Sequence, residues 1–534
     1  MTSTPNPGEM LMLAFKGLDG PSDEFVRSLQ ELKPAGVTLF RSFNIRNPRQ
    51  LKSLTTSLQQ KAAELDLPPL LIALDQEGGQ LMAIGAATQL PGNMALGATG
   101  SEELAFEAGQ VLGSELRAMG VNVDYAPCVD VNTNPNNPVV GVRSFGEDPT
   151  SVARLSAALV RGIQSKGVAA TAKHFPGHGD TSSDSHLGLP LVSHSLEEMR
   201  SIDLPPFKAA IEAGVKLVMT AHLGIPALEQ EQVTPATLTP QILQGILRAE
   251  LGYDGVIITD AMDMLAIRQG DLLVEDSANA IAAGVDLLLG TSDPQDHRRL
   301  YKGIMHAIGE HMISDAQLAA SLNRIHLLKE WLTQDRNIPS LDIVDGPAHR
   351  EVARRIAERS ITLVRDDTRL LPLRLEAEKR IAVIVPKPMD LTPADTSSYS
   401  SPQLAAAVRM YHANTVEFVM PSLPSPGDID GLLGQMSGID LIIAGTLNAS
   451  AQPGQAELVK QLIALGKPVI AAAMRLPYDL AAFPKVGTYL CTYSILEPSM
   501  QALAKVLFGE IKPQGRLPVS IPGMYDAGAG IFPT

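Results

Sequence analysis

The sequence predicts an α/β protein of two domains: an N-terminal (β/α)8 TIM-type barrel over residues 1–334, and a smaller α/β three-layer sandwich over residues 366–534. Three observations carry this. Eight short apolar runs alternate with helical stretches before residue 291, a Pro/Gly/Asp-bearing connector follows residue 334, and five further apolar runs come after it. Buried parallel strands read as continuous apolar runs, and eight of them with intervening helices close naturally into a barrel. An open doubly wound sheet is the structural rival; the number of runs and the length favour the barrel.

The eight runs are LMLAF (11–15), GVTLF (36–40), LLIALD (70–75), VNVDYAP (121–127), GVAATAKHF (167–175), KLVMTAHL (216–223), GVIITD (255–260) and VDLLLG (285–290). Between them, stretches such as SVARLSAALVRGIQSKG have the helical period. Residues 335–365 read as a linker and connecting helix: DRNIPSLDIVDGPAHR carries turn residues, and EVARRIAERSITLV looks like a helix running into a strand. Beyond it, IAVIVP (381–386), VEFVM (416–420), DLIIAG (440–445), PVIAAAM (468–474) and TYLCTY (488–493) alternate with helical pieces, which fits a second layered domain.

A chain of 534 residues exceeds what one core organises. Its net charge of -15, without dense Lys/Arg runs, argues against a nucleic-acid or anionic-membrane footprint. The only cysteines, Cys128 and Cys491, lie far apart and suggest neither a disulfide framework nor a zinc-ligand spacing. The N-terminus has no basic and apolar leader pattern, and no stretch offers about 18 uninterrupted apolar residues, so a cytoplasmic protein without membrane insertion is expected.

In parallel barrels the reacting groups sit at the carboxyl ends of strands. Those ends carry Asp75 after the third run, Arg143 in the loop after the fourth, Lys173, His174, Asp184 and His186 after the fifth, His222 after the sixth and Asp260 after the seventh. Asp184 and His186 stand two apart in a loop with Gly177 and Gly179, where a carboxylate can orient an imidazole for proton transfer. An isolated D-x-H reads first as a solvated loop; in a loop leaving a barrel strand, the catalytic reading takes precedence. Asp260 follows a strand apolar enough to be central and is either a nucleophile at the barrel mouth or the N-cap of the next helix. Asp75, Arg143, Lys173 and His174 can bind sugar hydroxyls or serve as ordinary ion-pair and turn residues. His222 reads as a satisfied barrel-mouth histidine. A metal centre built from His174, His178, His186, His222 and Asp260 lacks a recognisable ligand spacing, so neither metal nor cofactor is expected.

The segment KHFPGHGDTSSDSH (173–186) closely resembles the signature of glycoside hydrolase family 3 in its β-N-acetylhexosaminidase branch. Similarity extends to DQEGG (75–79), RSFGEDP (143–149), TAH (220–222), TDAMDM (259–264), ITLVRDDTRLLPL (361–373) and GRLPVSIP (515–522). The resemblance implies a retaining exo-acting enzyme that removes terminal β-linked N-acetylglucosamine, typically from peptidoglycan fragments, so a small carbohydrate or muropeptide is the implied substrate. It implies Asp260 as nucleophile, His186 as acid/base, Asp184 as its orienting partner, and Lys173, His174, Asp75 and Arg143 as sugar-binding residues. An imidazole does not repel an incoming anion, so phosphate is an alternative acceptor. The chain departs from the family pattern after DQEGG: where R-V-x-R is common, it has Gln80, Leu81, Met82 and Ala83. One sugar contact is missing there, for which Arg41 is a replacement from the neighbouring loop; otherwise specificity has shifted, or the protein binds sugar without turnover.

Overall fold

The computed structural model describes residues 6–183, 188–228, 233–334 and 337–532. Eight parallel strands form the first sheet: β1 (Leu11–Ala14), β2 (Gly36–Thr38), β3 (Leu71–Leu74), β4 (Val123–Asp124), β5 (Ala169–Phe175), β6 (Leu217–Thr220), β7 (Val256–Thr259) and β8 (Leu288–Leu289). β8 pairs back onto β1 through Leu11↔Leu288 and Met12↔Leu289, and a single bridge, Ile258↔Leu287, joins it to β7. The sheet is thus a nearly closed barrel, as predicted. Every residue of β1, β3, β6 and β7 is buried, which explains why these strands read as unbroken apolar runs rather than alternating ones.

Helix starts follow local chemistry. Asn47, Asp148 and Asp293 each cap a helix with a side-chain oxygen, and Pro48, Pro149 and Pro294 come next, where the missing N–H costs nothing. These caps turn the chain at fixed points after β2, β4 and β8 and so set the lengths of the loops at the barrel's carboxyl end.

The second sheet has the order β9 (Thr362–Asp366), β14 (Thr488–Cys491), β13 (Val469–Ala473), β12 (Leu441–Thr446), β10 (Ile381–Pro386) and β11 (Thr415–Met420). All its pairings are parallel except that of β9 with β14. The helix Pro347–Ser360 lies in the stretch read as connector and packs against Asn93–Thr99 and Glu102–Ala118 of the barrel and Glu497–Phe508 of the second domain. Arg355 pairs with Glu107 at 2.8 Å, and His349 meets Glu115 at 2.8 Å. The connector is therefore a packed strut between the domains.

Candidate active site

Asp75, Arg143, Lys173, His174 and Asp260 arrive from β3, the β4 loop, β5 and β7, and all five line one cavity of about 870 Å³ at the carboxyl end of the barrel. Lys173 is buried, and its Nζ lies 2.5 Å from Asp75 Oδ1 and 2.7 Å from Glu77 Oε1. Arg143, equally buried, donates Nε to Glu77 Oε2 at 3.0 Å and NH2 to Oε1 at 2.7 Å. Burial alone would raise the Glu77 pKa, but Arg143 and Lys173 overcome it and hold the carboxyl down at about 2. Two carboxylates thus neutralise two cations, and burial of Glu77, Arg143 and Lys173 becomes tolerable because each charge is paired and hydrogen-bonded. Asp75, half-buried, is the member of the set nearest solvent.

Glu77 is positioned by a hairpin. Gln76–Gly78 pairs antiparallel with Leu81–Met82, and a Cβ on Gly79 would stand 2.8 Å from the Pro91 carbonyl oxygen. Only glycine lets that turn close.

His174 is held by Asp130. Its Nδ1 lies 2.7 Å from Asp130 Oδ2 and its Nε2 lies 3.3 Å from Arg143 NH2. A guanidinium can only donate, so Nε2 accepts and Nδ1 carries the proton towards Asp130. The backbone N–H groups of His174 and His178 also donate to Asp130 Oδ1, at 3.2 and 2.8 Å, and the Cys128 thiol to Oδ2 at 3.2 Å. Cys128, Asp130 and His174 converge closely enough to be weighed as metal ligands. The donor set does not fit one: Asp130 is filled with hydrogen bonds, and burial pushes the Cys128 thiol up so that it stays protonated. The cluster is a clasp that orients the imidazole.

Asp260 follows β7; its N–H donates to the Thr220 carbonyl at 2.9 Å and its Oδ1 accepts from Ala261 N at 2.8 Å. Tyr125, hydrogen-bonded to Thr38 at 2.8 Å, lines the same cavity, and burial drives its phenol well above the usual range. His222 is buried between Thr237 Oγ1 at 2.9 Å and the Ala261 carbonyl at 3.1 Å. Both ring nitrogens are engaged, and burial lowers its pKa, so it stays a neutral spacer below the loop that carries Asp260.

Asp184 and His186 lie outside the described residues. The segment leading to them is anchored from the β4 loop: Asn137 Nδ2 donates to the carbonyls of His178 at 2.8 Å and Gly179 at 3.1 Å. Gly179 passes the backbone of Val131 so closely that a Cβ would stand 1.7 Å from its oxygen. His178 Nδ1 meets Thr181 Oγ1 at 2.7 Å, and burial lowers the imidazole to about 4, leaving it neutral.

Sequence reasoning about the site overlooked Glu77 and Asp130 and left the part played by the second domain open. Glu77 sat inside the DQEGG motif, and Asp130 in an apolar run after β4, so both were visible as buried carboxylates near a strand end. The contribution of residues 390–399, which line the same cavity from the second domain, had no local signal. Thr396 donates Oγ1 to the Gln80 carbonyl at 2.9 Å and accepts from Met82 N at 3.0 Å. The atypical Gln80–Met82 segment is therefore an attachment point for the other domain. Arg41 lies beside it, donating NH1 to the Met82 carbonyl at 2.9 Å, with its guanidinium 4.1 Å from the centre of the Tyr399 ring.

Comparison with known families fits this geometry. Residues 7–328 match the glycosyl hydrolase family 3 N terminal domain, and residues 361–528 its C-terminal domain. The chain belongs to glycosyl hydrolase family 3. The family 3 enzyme is 32% identical to beta-hexosaminidase A of Pseudoalteromonas piscicida, over 98% of this chain and 97% of that protein. Its fold matches the structure of a family 3 beta-N-acetylglucosaminidase from Paenibacillus sp. str. FPU-7 with a TM-score of 0.90 and 38% identity, over 97% of this chain and 98% of that one. It also matches beta-glucoside phosphorylase BglX with a TM-score of 0.79 and 26% identity, over 97% of this chain and 93% of that one. The protein is a glycoside hydrolase, and no helix among its described residues is long and apolar enough to cross a membrane.

Proposed function

We propose that this family 3 hydrolase is a retaining exo-acting β-N-acetylglucosaminidase working through a covalent glycosyl-Asp260 intermediate. The observation that carries the reading is the placement of Asp260 in the wall of the cavity that Asp75, Arg143, Lys173 and His174 also line, with Glu77 pairing to Arg143 and Lys173. That network is neutral and fixed. Lys173 uses two of its three N–H groups on carboxylates, which leaves one donor for a sugar hydroxyl, while Asp75 accepts from another. A sugar so held presents its anomeric carbon to Asp260.

In the first step an Asp260 oxygen attacks the anomeric carbon, the glycosidic bond breaks, and the proton of His186 goes to the leaving oxygen. In the second, His186 takes a proton from water, whose oxygen displaces Asp260. Asp184 holds the imidazole. The names and identities of the relatives support N-acetylglucosamine as the sugar. Peptidoglycan fragments as its source, and the cytoplasm as its place of action, are part of the same proposal, the first of them resting on the family resemblance.

Water rather than phosphate is the acceptor in this reading, because Arg143 and Lys173 are already neutralised by Glu77 and Asp75. Inorganic phosphate is expected to leave the rate unchanged and to yield no sugar 1-phosphate. The deciding experiment is intact-protein mass spectrometry after incubation with a fluorinated mechanism-based 2-acetamido β-glycoside and with its β-glucoside counterpart. One added sugar mass on the wild type from the first reagent, and none on Asp260→Asn, is expected. Labelling of both proteins would move the nucleophile elsewhere.

A further inference from the structure

The loop after β5 has two described stems, residues 177–183 and 188–195, and each is tied to a neighbouring loop of the barrel. From the β4 loop, Asn134 Nδ2 donates to the carbonyls of Asp180 at 3.3 Å and Thr181 at 3.2 Å, which fixes the first stem. Gly224, beyond β6, fixes the second: its carbonyl accepts from Val192 N at 3.0 Å and its N–H donates to the Pro190 carbonyl at 2.8 Å. The stems meet at Asp180, whose Oδ2 accepts from Ser193 N at 3.2 Å and from the Ser193 hydroxyl. His194, the next residue, stands between two carboxylates. Its Nδ1 lies 2.7 Å from Asp203 Oδ2 and its Nε2 lies 3.7 Å from Asp180 Oδ1. Asp203 is buried just ahead of the helix Leu204–Glu212, and a Cβ on Gly177 of the first stem would stand 2.8 Å from its own.

We propose that His194 is a positioning residue for the acid/base step: as an imidazolium it bridges Asp203 and Asp180 and locks together the stems between which the sequence places Asp184 and His186. This rests on the glycosidase reading above and adds a residue that acts through His186 rather than on the sugar.

The charge of the ring follows from its neighbours. With Nδ1 donating to Asp203, a neutral imidazole would turn the lone pair of Nε2 towards the Asp180 carboxylate, whereas the protonated ring meets both carboxylates with N–H groups. The hydrogen bond to Asp203, and then the charges of Asp203 and Asp180, accordingly hold the His194 pKa above its ordinary value against the effect of burial. Asp203 depends on this partner in turn. Burial pushes its carboxyl up, Asp130 behind it adds like charge, and its Oδ1 has no hydrogen-bond partner among the described residues. Glu198, the other carboxylate that faces His194, is engaged in capping its own helix, Leu196–Ser201, where it accepts from Ser195 N and Oγ at 2.8 Å each. A neutral residue at 194 would therefore leave Asp180 and Asp203 without the cation that joins them.

The test compares kcat/KM for phenyl and dinitrophenyl N-acetyl-β-glucosaminides in the wild-type enzyme, His194→Gln and Asp180→Asn. Phenolate leaves with a proton from the general acid, whereas dinitrophenolate leaves without one. Each variant is expected to lose about 10- to 100-fold on the phenyl glycoside, the order of effect of displacing a catalytic group by about 1 Å, and to cleave the dinitrophenyl glycoside at nearly the wild-type rate. Equal losses on the two substrates, or no loss on either, would overturn the proposal, because a merely structural role lowers both alike. Circular dichroism shows whether each variant has folded. Asp180→Asn, which leaves the pair of His194 with Asp203 in place, provides the reading if His194→Gln does not fold. Failure of the wild-type enzyme to cleave either substrate would instead overturn the glycosidase reading, so the two outcomes are distinct.

Discussion

Glu77 is the residue on which the cavity's charged network depends, because a single buried carboxylate serves both Arg143 and Lys173. Glu77→Gln preserves the shape and removes the charge, leaving two buried cations with Asp75 alone. Breaking a buried pair by removing one partner costs about 3–5 kcal/mol, so the unfolding free energy from denaturant titration should fall by about that amount and KM should rise, as Lys173 and Arg143 lose their fixed positions. His178 governs a different window. Its folded pKa of about 4 lies below the ordinary 6.5, so between those values the unfolded chain binds a proton that the native protein excludes. Its contribution is complete above pH 6.5 and is lost as pH falls towards 4, a change of about 3 kcal/mol. Glu77 adds a second loss between its ordinary 4.5 and about 2. Unfolding free energy measured from pH 7 to pH 4.5 should decline for the wild type and decline less for His178→Gln; parallel curves would show that the buried imidazole does not exclude the proton.

At the scale of elements, the loop after β5 is a strand extension held from outside. Asn137 grips its first carbonyls, and Gly179 allows the backbone of the β4 loop to pass beneath it. Neither residue touches the cavity's charged network, yet both determine where the chain sets out towards Asp184 and His186. Asn137→Ala should therefore lower kcat by about 10- to 100-fold, since displacing a catalytic group by about 1 Å has costs of that order. KM for an aryl glycoside should change much less, because Asp75, Lys173 and Arg143 keep their places. A proportionate rise in KM without a fall in kcat would place the effect of Asn137 in substrate binding instead. The hairpin Gln76–Met82 acts in the same way for Glu77, and it explains the departure at Gln80–Met82: this segment faces Thr396, and its backbone groups, rather than its side chains, make the contact.

Across the whole molecule, the two domains meet through buried and half-buried polar contacts as well as through the connecting helix. Asn132 Nδ2 donates to the Tyr478 hydroxyl at 2.9 Å, Glu147 accepts from Ser520 at 2.8 Å through its backbone N–H, and Thr396 closes on Gln80. Because these contacts lie around the mouth of the barrel, separating the domains strips both a wall of the cavity and the far side of the strut. Scanning calorimetry is expected to show the domains unfolding in one transition. A fragment ending at residue 334 should melt several degrees lower; two independent transitions in the intact chain would mean that the interface contributes little to stability.

By itself the sequence determined the barrel, the second layered domain and the strand ends where chemistry gathers. These are local properties: continuous apolar runs report burial on both faces, and a charged residue directly after such a run can only lie at a strand terminus. In this way Asp75, Lys173, His174 and Asp260 were legible before any coordinates, Arg143 was legible only as a cation in the loop after the fourth run, and the family motif added Asp184 and His186. The tertiary structure alone decided that Glu77 is the shared counter-ion, that Asp130 fixes the His174 tautomer, and that residues 390–399 complete the cavity from more than 300 positions away in the chain, as in the contact of Thr396 with Gln80. No periodicity encodes these facts, because hydrogen bonds and ion pairs between distant segments depend on which loops the fold brings to one place, and that is a property of packing rather than of any stretch of sequence.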